Sequence, residues 1–117
     1  MGLIILDDLP LLQIADGIAL HAVTAETMTV AHVQLKAGAI LPKHAHHNEQ
    51  VVNVIDGELE LVVDGETHSL VAGKVMVLPP NVEHSGRAVS DCKVIDVFHP
   101  VRQDWTGSSF AGYEEKD

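Results

Sequence analysis

Residues 56–80, DGELELVVDGETHSLVAGKVMVLPP, alternate short apolar runs with turn-forming pairs. Asp56-Gly57, Asp64-Gly65 and Ala72-Gly73 fall eight residues apart, and Asp-Gly between apolar runs is a strong signal for a β-hairpin. The runs between these pairs are rich in valine and leucine and have the length of ordinary strands. This spacing predicts consecutive short strands, which is typical of a β-sandwich or a β-barrel.

The flanking residues extend the β pattern in both directions. Residues 17–23 and 27–35 are predicted to form two further strands joined by a short turn, and residues 93–98 another. Between residues 17 and 98 no segment has the apolar period of an amphipathic helix. Because 117 residues are too few for two separate hydrophobic cores, we predict one all-β domain over residues 1–117.

The two ends of the chain carry weaker signals. Residues 3–6 are apolar and are predicted to form an exposed edge strand, which favours a homodimer through strand pairing. The polar tail at residues 103–117 contains Trp105, Phe110 and Tyr113. This composition fits a mobile lid, a dimer arm or a frayed end.

Composition and charge argue against several classes of partner. Seven Lys and Arg residues against 17 Asp and Glu residues give a formal charge of −10, which opposes binding to phosphate backbones or anionic lipid. We therefore expect no nucleic acid and no membrane as partner, and no apolar run reaches the roughly 18 residues of a membrane helix. Cys92 is the only cysteine, so no disulfide forms within the chain and a cytoplasmic location is expected.

Three of the eight histidines fall within the segment KHAHHNEQ at residues 43–50. On an extended strand, residues two apart point to the same side, so His44 and His46 are expected to converge while the next residue faces away. Gln50 continues the same parity and adds an amide oxygen, whereas Glu49 would replace it only if a bulge shifted the strand. A further ligand has to come from another part of the chain.

His84 is the best candidate for that ligand. It follows the turn at Pro79-Pro80, which ends an apolar strand and is rigid enough to present a side chain to the interior. Imidazole nitrogens and an amide oxygen suit several divalent transition metals, among them Ni, Zn, Fe, Mn and Cu. The sequence therefore predicts one divalent transition metal ion held by four side chains: His44, His46, Gln50 and His84.

The two halves of this predicted site resemble the paired motifs of cupins. The residues of the first motif are Gly38, His44, His46, Gln50 and Gly57, and those of the second are Gly73, Pro79 and His84. The resemblance covers roughly residues 17–100. It implies a cupin double-stranded β-helix, or jelly-roll barrel, with the metal in its interior.

One position departs from that motif, because Gln50 stands where a glutamate is usual. A glutamate would cancel part of the metal's charge, whereas Gln50 and three neutral histidines leave the charge near +2. That charge favours a Lewis acid that polarises a substrate oxygen over redox oxygenase chemistry. The argument fails if Glu49 is the ligand instead.

A second group of candidate residues lies in the segment VIDVFHPVR at residues 94–102. Asp96 and Phe98 share one face of the predicted strand, and a carboxylate in an apolar strand is costly to bury without a partner. One interpretation is an aspartate paired with a surface cation at a strand edge. The other is an acid or base that faces a cavity, with Phe98 shaping the cavity and Arg102 binding a substrate carboxylate.

The stretches HAHHNEQ, PPNVEH and VIDVFHPVRQD together resemble the KdgF family of small cupins from pectin and alginate degradation. Members of that family convert 4,5-unsaturated monouronates, released by polysaccharide lyases, into linear ketonised sugars. The resemblance implies the same metal-dependent enzyme activity here, with a small uronate as substrate. It also implies the functional residues, which are the metal ligands His44, His46, Gln50 and His84 and the group Asp96, Phe98 and Arg102.

Two other functions fit the same residues. One is a metal-dependent cupin dioxygenase acting on a diketone or an enol, which oxygen uptake with iron would reveal. The other is a non-catalytic, sugar-binding cupin, which would bind without turnover. The histidines that lack a partner at ligand spacing are expected to be structural or exposed, and they are His21, His32, His68 and His99.

Overall fold

The computed structural model describes residues 2–105. These residues form ten β-strands, two short 3₁₀ helices and no α-helix, so the predicted all-β class is confirmed. Neither of the described helices is long and apolar enough to cross a membrane. In chain order the strands are β1 (Leu12–Ala15), β2 (Ile18–Thr24), β3 (Thr29–Leu35), β4 (Ile40–His44), β5 (Glu49–Asp56), β6 (Glu58–Val63), β7 (Glu66–Val71), β8 (Val75–Leu78), β9 (His84–Ala88) and β10 (Cys92–His99).

The strands form two antiparallel sheets. The larger sheet has the order β1-β2-β3-β10-β5-β8, and the smaller has the order β4-β9-β6-β7. Within the larger sheet β10 pairs with β3 on one side and with β5 on the other. From β4 onward the chain crosses repeatedly between the sheets, which is the connectivity of a jelly-roll barrel.

Alternate residues of the strands point between the two sheets and form the hydrophobic core. Burying one such aliphatic or aromatic side chain stabilises the fold by about 1.5–3 kcal/mol. The same alternation turns Gln50 of β5, His84 of β9 and Asp96 of β10 toward the interior. The core residues contributed by the three strands that carry these polar groups, and by the facing strand β6, are Val52, Val54, Leu59, Leu61, Ala88, Cys92, Val94 and Phe98.

The predicted turns fall where expected, but only one of them closes a hairpin. Asp64 and Gly65 have φ values of 49° and 84° and join β6 to β7, with Val63 opposite Glu66. Positive φ at both central residues is the conformation that Asp-Gly favours in a two-residue hairpin. The turn pairs at residues 56–57 and 72–73 instead connect strands that lie in different sheets, so the hairpin that Asp56-Gly57 indicated is wrong.

The N-terminal apolar segment is not the predicted edge strand. Leu3 is 93% exposed, and the backbone turns into a 3₁₀ helix at Leu6–Asp8, closed by the Leu9 N–H donating to the Leu6 carbonyl at 3.0 Å. The edges of the larger sheet are occupied by β1, which pairs with β2, and by β8. The homodimer stays a prediction, but an edge strand at residues 3–6 no longer supports it.

The beginning of the C-terminal tail is ordered against the barrel. Gln103–Trp105 form a 3₁₀ helix, and Trp105 is only 4% exposed. For these three residues a lid or a frayed end is therefore the wrong expectation. The remainder of the tail, with Phe110 and Tyr113, lies outside the described residues.

Gly57 is expected to be the least replaceable of the turn glycines. Its φ is 88°, and a Cβ at this position would overlap the carbonyl oxygen of Asp91 in the backbone that precedes β10. Gly57→Ala should therefore lower the free energy of unfolding by more than about 3 kcal/mol, since overpacking adds to the unfavourable φ. Chemical denaturation measures this change.

Gly65→Ala is the matched control. Gly65 has a φ of 84°, but a Cβ at this position would have no atom of the described residues within 4 Å. It should cost only about 1 kcal/mol, the conformational penalty alone. Equal losses of stability in the two variants would contradict the close approach at Gly57.

Candidate metal centre

Three histidine side chains converge at one end of the barrel. His44 ends β4 and lies opposite His84, the first residue of β9, while His46 lies in the loop before β5. The ring centroids are 4.3 Å apart for His44 and His84, 5.0 Å for His46 and His84, and 5.6 Å for His44 and His46. Their candidate ligand atoms all lie within 4.8 Å of one another, which is a spacing that one metal ion can bridge.

Each imidazole is oriented by a hydrogen bond to the backbone. In all three rings Nδ1 faces a carbonyl oxygen two residues away, and because a carbonyl only accepts, Nδ1 carries the proton. Nε2 is then left with a lone pair, as a metal ligand requires. The Nδ1–oxygen distances are 2.7 Å from His44 to Pro42, 3.1 Å from His46 to Asn48 and 2.9 Å from His84 to Val82.

Gln50 joins the histidines, and Glu49 does not. Gln50 is 6% exposed and its Oε1 lies 3.1 Å from Nε2 of His46, whereas Glu49 is exposed. The register between β5 and β10 runs without a shift from Glu49 to Val54. The bulge that would have exchanged these two residues is therefore absent from this described part of β5.

The contact between the side chains of His46 and Gln50 bears on whether the site binds a cation. With the proton on Nδ1, Nε2 of His46 is an acceptor, and it faces an amide oxygen that is also an acceptor. A cation held by both atoms would remove this repulsion, and a rotated amide would do so in the metal-free protein.

Burial keeps the three imidazoles neutral. Loss of solvation lowers the pKa of His44 to about 3 and that of His46 to about 4, and it also lowers the pKa of His84. The positive charge of Arg102 adds to each of these shifts. Neutral imidazole is the form that binds a metal ion, and Nε2 of His84 is buried with no hydrogen-bond partner among the described residues. The donor set therefore fits a divalent transition metal.

Asp96 lies beside this cluster, as the second sequence interpretation expected. It lines the same cavity as Gln50 and His84, and its Oδ1 is buried without a hydrogen-bond partner in the described part of the chain. Burial raises the pKa of Asp96 to about 7, against smaller opposing effects of Gln50 and Arg102. A carboxyl group with such a pKa can both take up and release a proton near neutral pH.

Arg102 occupies a different setting from the one expected. Its Nε and Nη2 donate to the two carboxylate oxygens of Asp104, with Nε to Oδ1 at 3.0 Å and Nη2 to Oδ2 at 2.6 Å. Its Cζ lies 4.9 Å from the ring centroid of Phe98 and 4.2 Å from that of Trp105. The guanidinium is therefore already engaged with a carboxylate of its own chain, between two aromatic rings.

Phe98 connects the two groups of residues. It is 1% exposed, and its ring lies 5.7 Å from His46 and 5.2 Å from Trp105, both at edge-to-face angles. Phe98 thus contacts the histidine cluster on one side and the Trp105 and Arg102 side chains on the other.

Asn48 is a buried residue that the sequence did not single out. Its side-chain Nδ2 donates to the backbone carbonyls of Pro100 at 2.6 Å and Val101 at 3.2 Å. Its backbone carbonyl accepts a hydrogen bond from His46 Nδ1. One residue therefore links a histidine of the cluster to the segment that leads to Arg102. No local signal marks this role, because the partners lie more than fifty residues away in the chain.

The remaining histidines do not join the cluster. Among residues 2–105, the group close enough to hold a metal contains only His44, His46 and His84. Cys92 is buried, and burial raises the pKa of its thiol, so it is a small core residue and not a nucleophile. The four histidines expected to lie outside the site do so, namely His21, His32, His68 and His99.

Residues 31–98 match the family model of the cupin domain. This match covers more than half of the chain, and the chain therefore belongs to the cupin family. The cupin barrel that the paired motifs predicted is confirmed, with the histidines of both motifs at one end of its interior.

Within that family the chain is similar to KdgF. It is 29% identical to the pectin degradation protein KdgF of Dickeya dadantii (strain 3937), over 85% of this chain and 93% of that one. The solved structure of KdgF from Halomonas sp. superposes with a TM-score of 0.82 at 26% identity, over 89% of this chain and 97% of that one. The resemblance to KdgF is confirmed over most of both chains.

Other cupin relatives match over a smaller part of their length. The chain is 30% identical to quercetin 2,3-dioxygenase of Bacillus subtilis (strain 168) over 67% of this chain, but only 23% of that protein is covered. The chain spans less than half the length of two of the curated relatives that it matches. Its relatives include enzymes, in keeping with the expected enzyme class.

Proposed function

We propose that the chain binds one divalent transition metal through His44, His46, Gln50 and His84 and converts 4,5-unsaturated monouronates into linear ketonised sugars. The observation that carries the proposal is the shared cavity. Its lining includes His84, Asp96 and Gln50, and among the described residues Nε2 of His84 and Oδ1 of Asp96 have no hydrogen-bond partner. The similarity to KdgF over nearly the full length of both proteins supports the substrate class.

The proposed reaction is an isomerisation, so no atom and no electron is gained or lost overall. In ring opening, the C1–O5 bond of the hemiacetal breaks, the C1 hydroxyl loses its proton to leave an aldehyde, and O5 takes a proton to become an enol. In tautomerisation, the enol proton leaves O5 and C4 gains a proton, which leaves a ketone at C5. No redox cofactor takes part.

Asp96 is the group proposed to carry these protons. Asp96 lines the cavity, and its Oδ1 has no hydrogen-bond partner in the described part of the chain. A single carboxyl that takes a proton from one substrate atom can return it to another. The bound metal would supply Lewis acidity toward a substrate oxygen. The histidines hold their backbone hydrogen bonds throughout, so the positions of their ring nitrogens do not change during turnover.

Phe98 and Arg102 are proposed to position the substrate. Phe98 contacts the His46 ring edge-to-face at 5.7 Å and would hold that imidazole in position. Arg102 brings the positive charge that an anionic substrate needs in a protein of net charge −10, and Asp104 fixes the guanidinium in place. We propose that a substrate carboxylate approaches this fixed guanidinium, where the short distance outweighs the overall negative field.

The source of the uronate, the assembly and the location are also proposals. The curated KdgF relative is named for pectin degradation, which favours a pectin-derived uronate over an alginate-derived one. A homodimer in the cytoplasm is proposed as the working form, and size measurement in solution tests the dimer.

The decay of the ultraviolet absorbance of a 4,5-unsaturated monouronate tests the function directly, since the absorbing double bond is lost on tautomerisation. We expect the metal-loaded protein to accelerate the decay well above the spontaneous rate of ring opening. No acceleration with any of the candidate metals would refute the activity and leave the cupin fold untouched.

A dioxygenase is the second candidate, favoured by the similarity to quercetin 2,3-dioxygenase. An oxygen electrode separates the two functions, because the isomerisation consumes no oxygen. Oxygen uptake by the iron-loaded protein with an enol or diketone would favour the dioxygenase. Uronate binding without either reaction would leave a non-catalytic, sugar-binding cupin.

A further inference from the structure

Trp105 has a buried hydrogen-bond donor that no residue of the described chain satisfies. The side chain is 4% exposed, and its Nε1–H has no hydrogen-bond partner. Trp105 lines the same cavity as Gln50, His84 and Asp96. A tryptophan N–H that is buried in a folded protein nearly always has a partner, and leaving it unsatisfied is costly.

The packing of the indole ring does not explain why its buried N–H lacks a hydrogen-bond partner among the described residues. The indole stacks on the Arg102 guanidinium at 4.2 Å and meets the Phe98 ring edge-on at 5.2 Å. Phenylalanine would keep the edge-on contact and a weaker cation–π contact without burying a polar atom. The contact with Arg102 therefore accounts for a preference for tryptophan, but no packing contact accounts for a buried N–H left unsatisfied by the described residues.

The other unpartnered polar atoms of the cavity complement this donor. Nε2 of His84 and Oδ1 of Asp96 are acceptors, whereas the indole nitrogen only donates. A ligand that enters the cavity would thus meet the metal and the carboxylate through some of its groups and the indole N–H through an acceptor oxygen. Hydroxylated sugar acids carry several such oxygens.

We infer that Trp105 is a substrate-binding residue that donates a hydrogen bond from Nε1 to an oxygen of the bound sugar acid. The inference rests on the proposed function for the identity of the ligand. It also gives the start of the C-terminal segment a purpose, because the Gln103–Trp105 helix brings the indole to the cavity.

Trp105→Phe tests the inference, because it keeps an aromatic ring against Arg102 and Phe98 and removes the N–H donor. We expect KM for the unsaturated uronate to rise by about five- to tenfold, the usual effect of losing one buried hydrogen bond to a ligand. The value of kcat should stay within about twofold, and the metal content should equal that of the wild type. A purely structural role would instead lower the melting temperature and leave KM unchanged, which would overturn the inference.

A second measurement does not depend on turnover. Trp105 is the only tryptophan of the chain, so intrinsic fluorescence reports on this one side chain. Titrating the metal-loaded wild type with saturated D-galacturonate, which has no double bond to react, should change the emission at a defined affinity. Calorimetry should show an affinity weaker by a similar five- to tenfold factor in Trp105→Phe.

The two measurements separate failure of this inference from failure of the proposed function. If the unsaturated uronate is turned over but KM is the same in wild type and Trp105→Phe, the function stands and the inference is wrong. If no uronate is turned over but galacturonate changes the emission and binds the variant more weakly, the inference stands. If a saturating concentration of galacturonate leaves the emission of the wild type unchanged, the inference is overturned, whether or not Trp105→Phe folds.

Discussion

His84→Ala is expected to leave a folded barrel that no longer retains its metal. The binding free energy of a four-ligand site is about 10–16 kcal/mol, so an equal share for one ligand is about 3 kcal/mol, or more than about 100-fold in affinity. The metal content of the purified variant should fall from about one ion per chain to a small fraction, measured by plasma emission spectrometry. Uronate turnover should fall with it.

Thermal stability supplies an independent readout of the same site. A metal ion that binds only the folded state raises the melting temperature, and chelation removes that increment. Addition of metal to the chelated wild type should therefore raise the melting temperature, and addition to His84→Ala should not.

His47→Ala is the matched control, because His47 adjoins His46 in sequence but is exposed and lies outside the histidine cluster. It should keep the metal content, the metal-dependent rise in melting temperature and the turnover of the wild type. Full metal occupancy in His84→Ala, or equal loss in His47→Ala, would contradict the assignment of the ligands.

Asp96→Asn is expected to abolish most turnover while the metal stays bound. Asparagine has nearly the same shape but cannot take up or release a proton, and loss of a general acid or base usually lowers kcat by about 10²–10⁴-fold. KM should change far less than kcat, since the amide still fills the space beside Gln50. The ultraviolet assay with separate kcat and KM determination measures the effect.

The stability of Asp96→Asn distinguishes loss of chemistry from loss of structure. The carboxyl is buried, one of its oxygens has no partner among the described residues, and burial raises its pKa because charge is unfavourable there. The melting temperature should accordingly be unchanged or higher in the variant, as is common when a destabilised active-site group is replaced. Asp16→Asn, at an exposed turn between β1 and β2, is the control and should keep full activity. Wild-type kcat in Asp96→Asn would rule out its role in proton transfer.

The parts of the fold that depend on local sequence were predictable. Short valine- and leucine-rich runs separated by Asp-Gly and Ala-Gly turns specify strands, because the turn residues supply the backbone conformations that end each run. The alternation of inward and outward residues along a strand likewise favoured Gln50 over Glu49, but the unshifted register of β5 from Glu49 to Val54 was needed to decide between them. A period of two residues survives wherever the strand runs without a bulge.

Predictions that needed strand partners were less successful. Residues 3–6 have the composition of a strand, but the edge strands of the larger sheet are β1 and β8. Asp56-Gly57 is a hairpin sequence, yet the strands on either side of it belong to different sheets. The pairing of strands depends on burying the inner faces of both sheets at the same time. A short window of sequence carries no information about that packing.

The all-β class, the positions of most strands and the histidines of the two motifs follow from the sequence alone, because strand periodicity and turn chemistry are properties of neighbouring residues. The folded structure was needed to show that His44 lies opposite His84, that Asn48 holds the backbone at Pro100, and that Trp105 reaches the cavity. These contacts join residues far apart in the chain. They exist only once the two sheets have closed over a common core and excluded water from the polar groups between them.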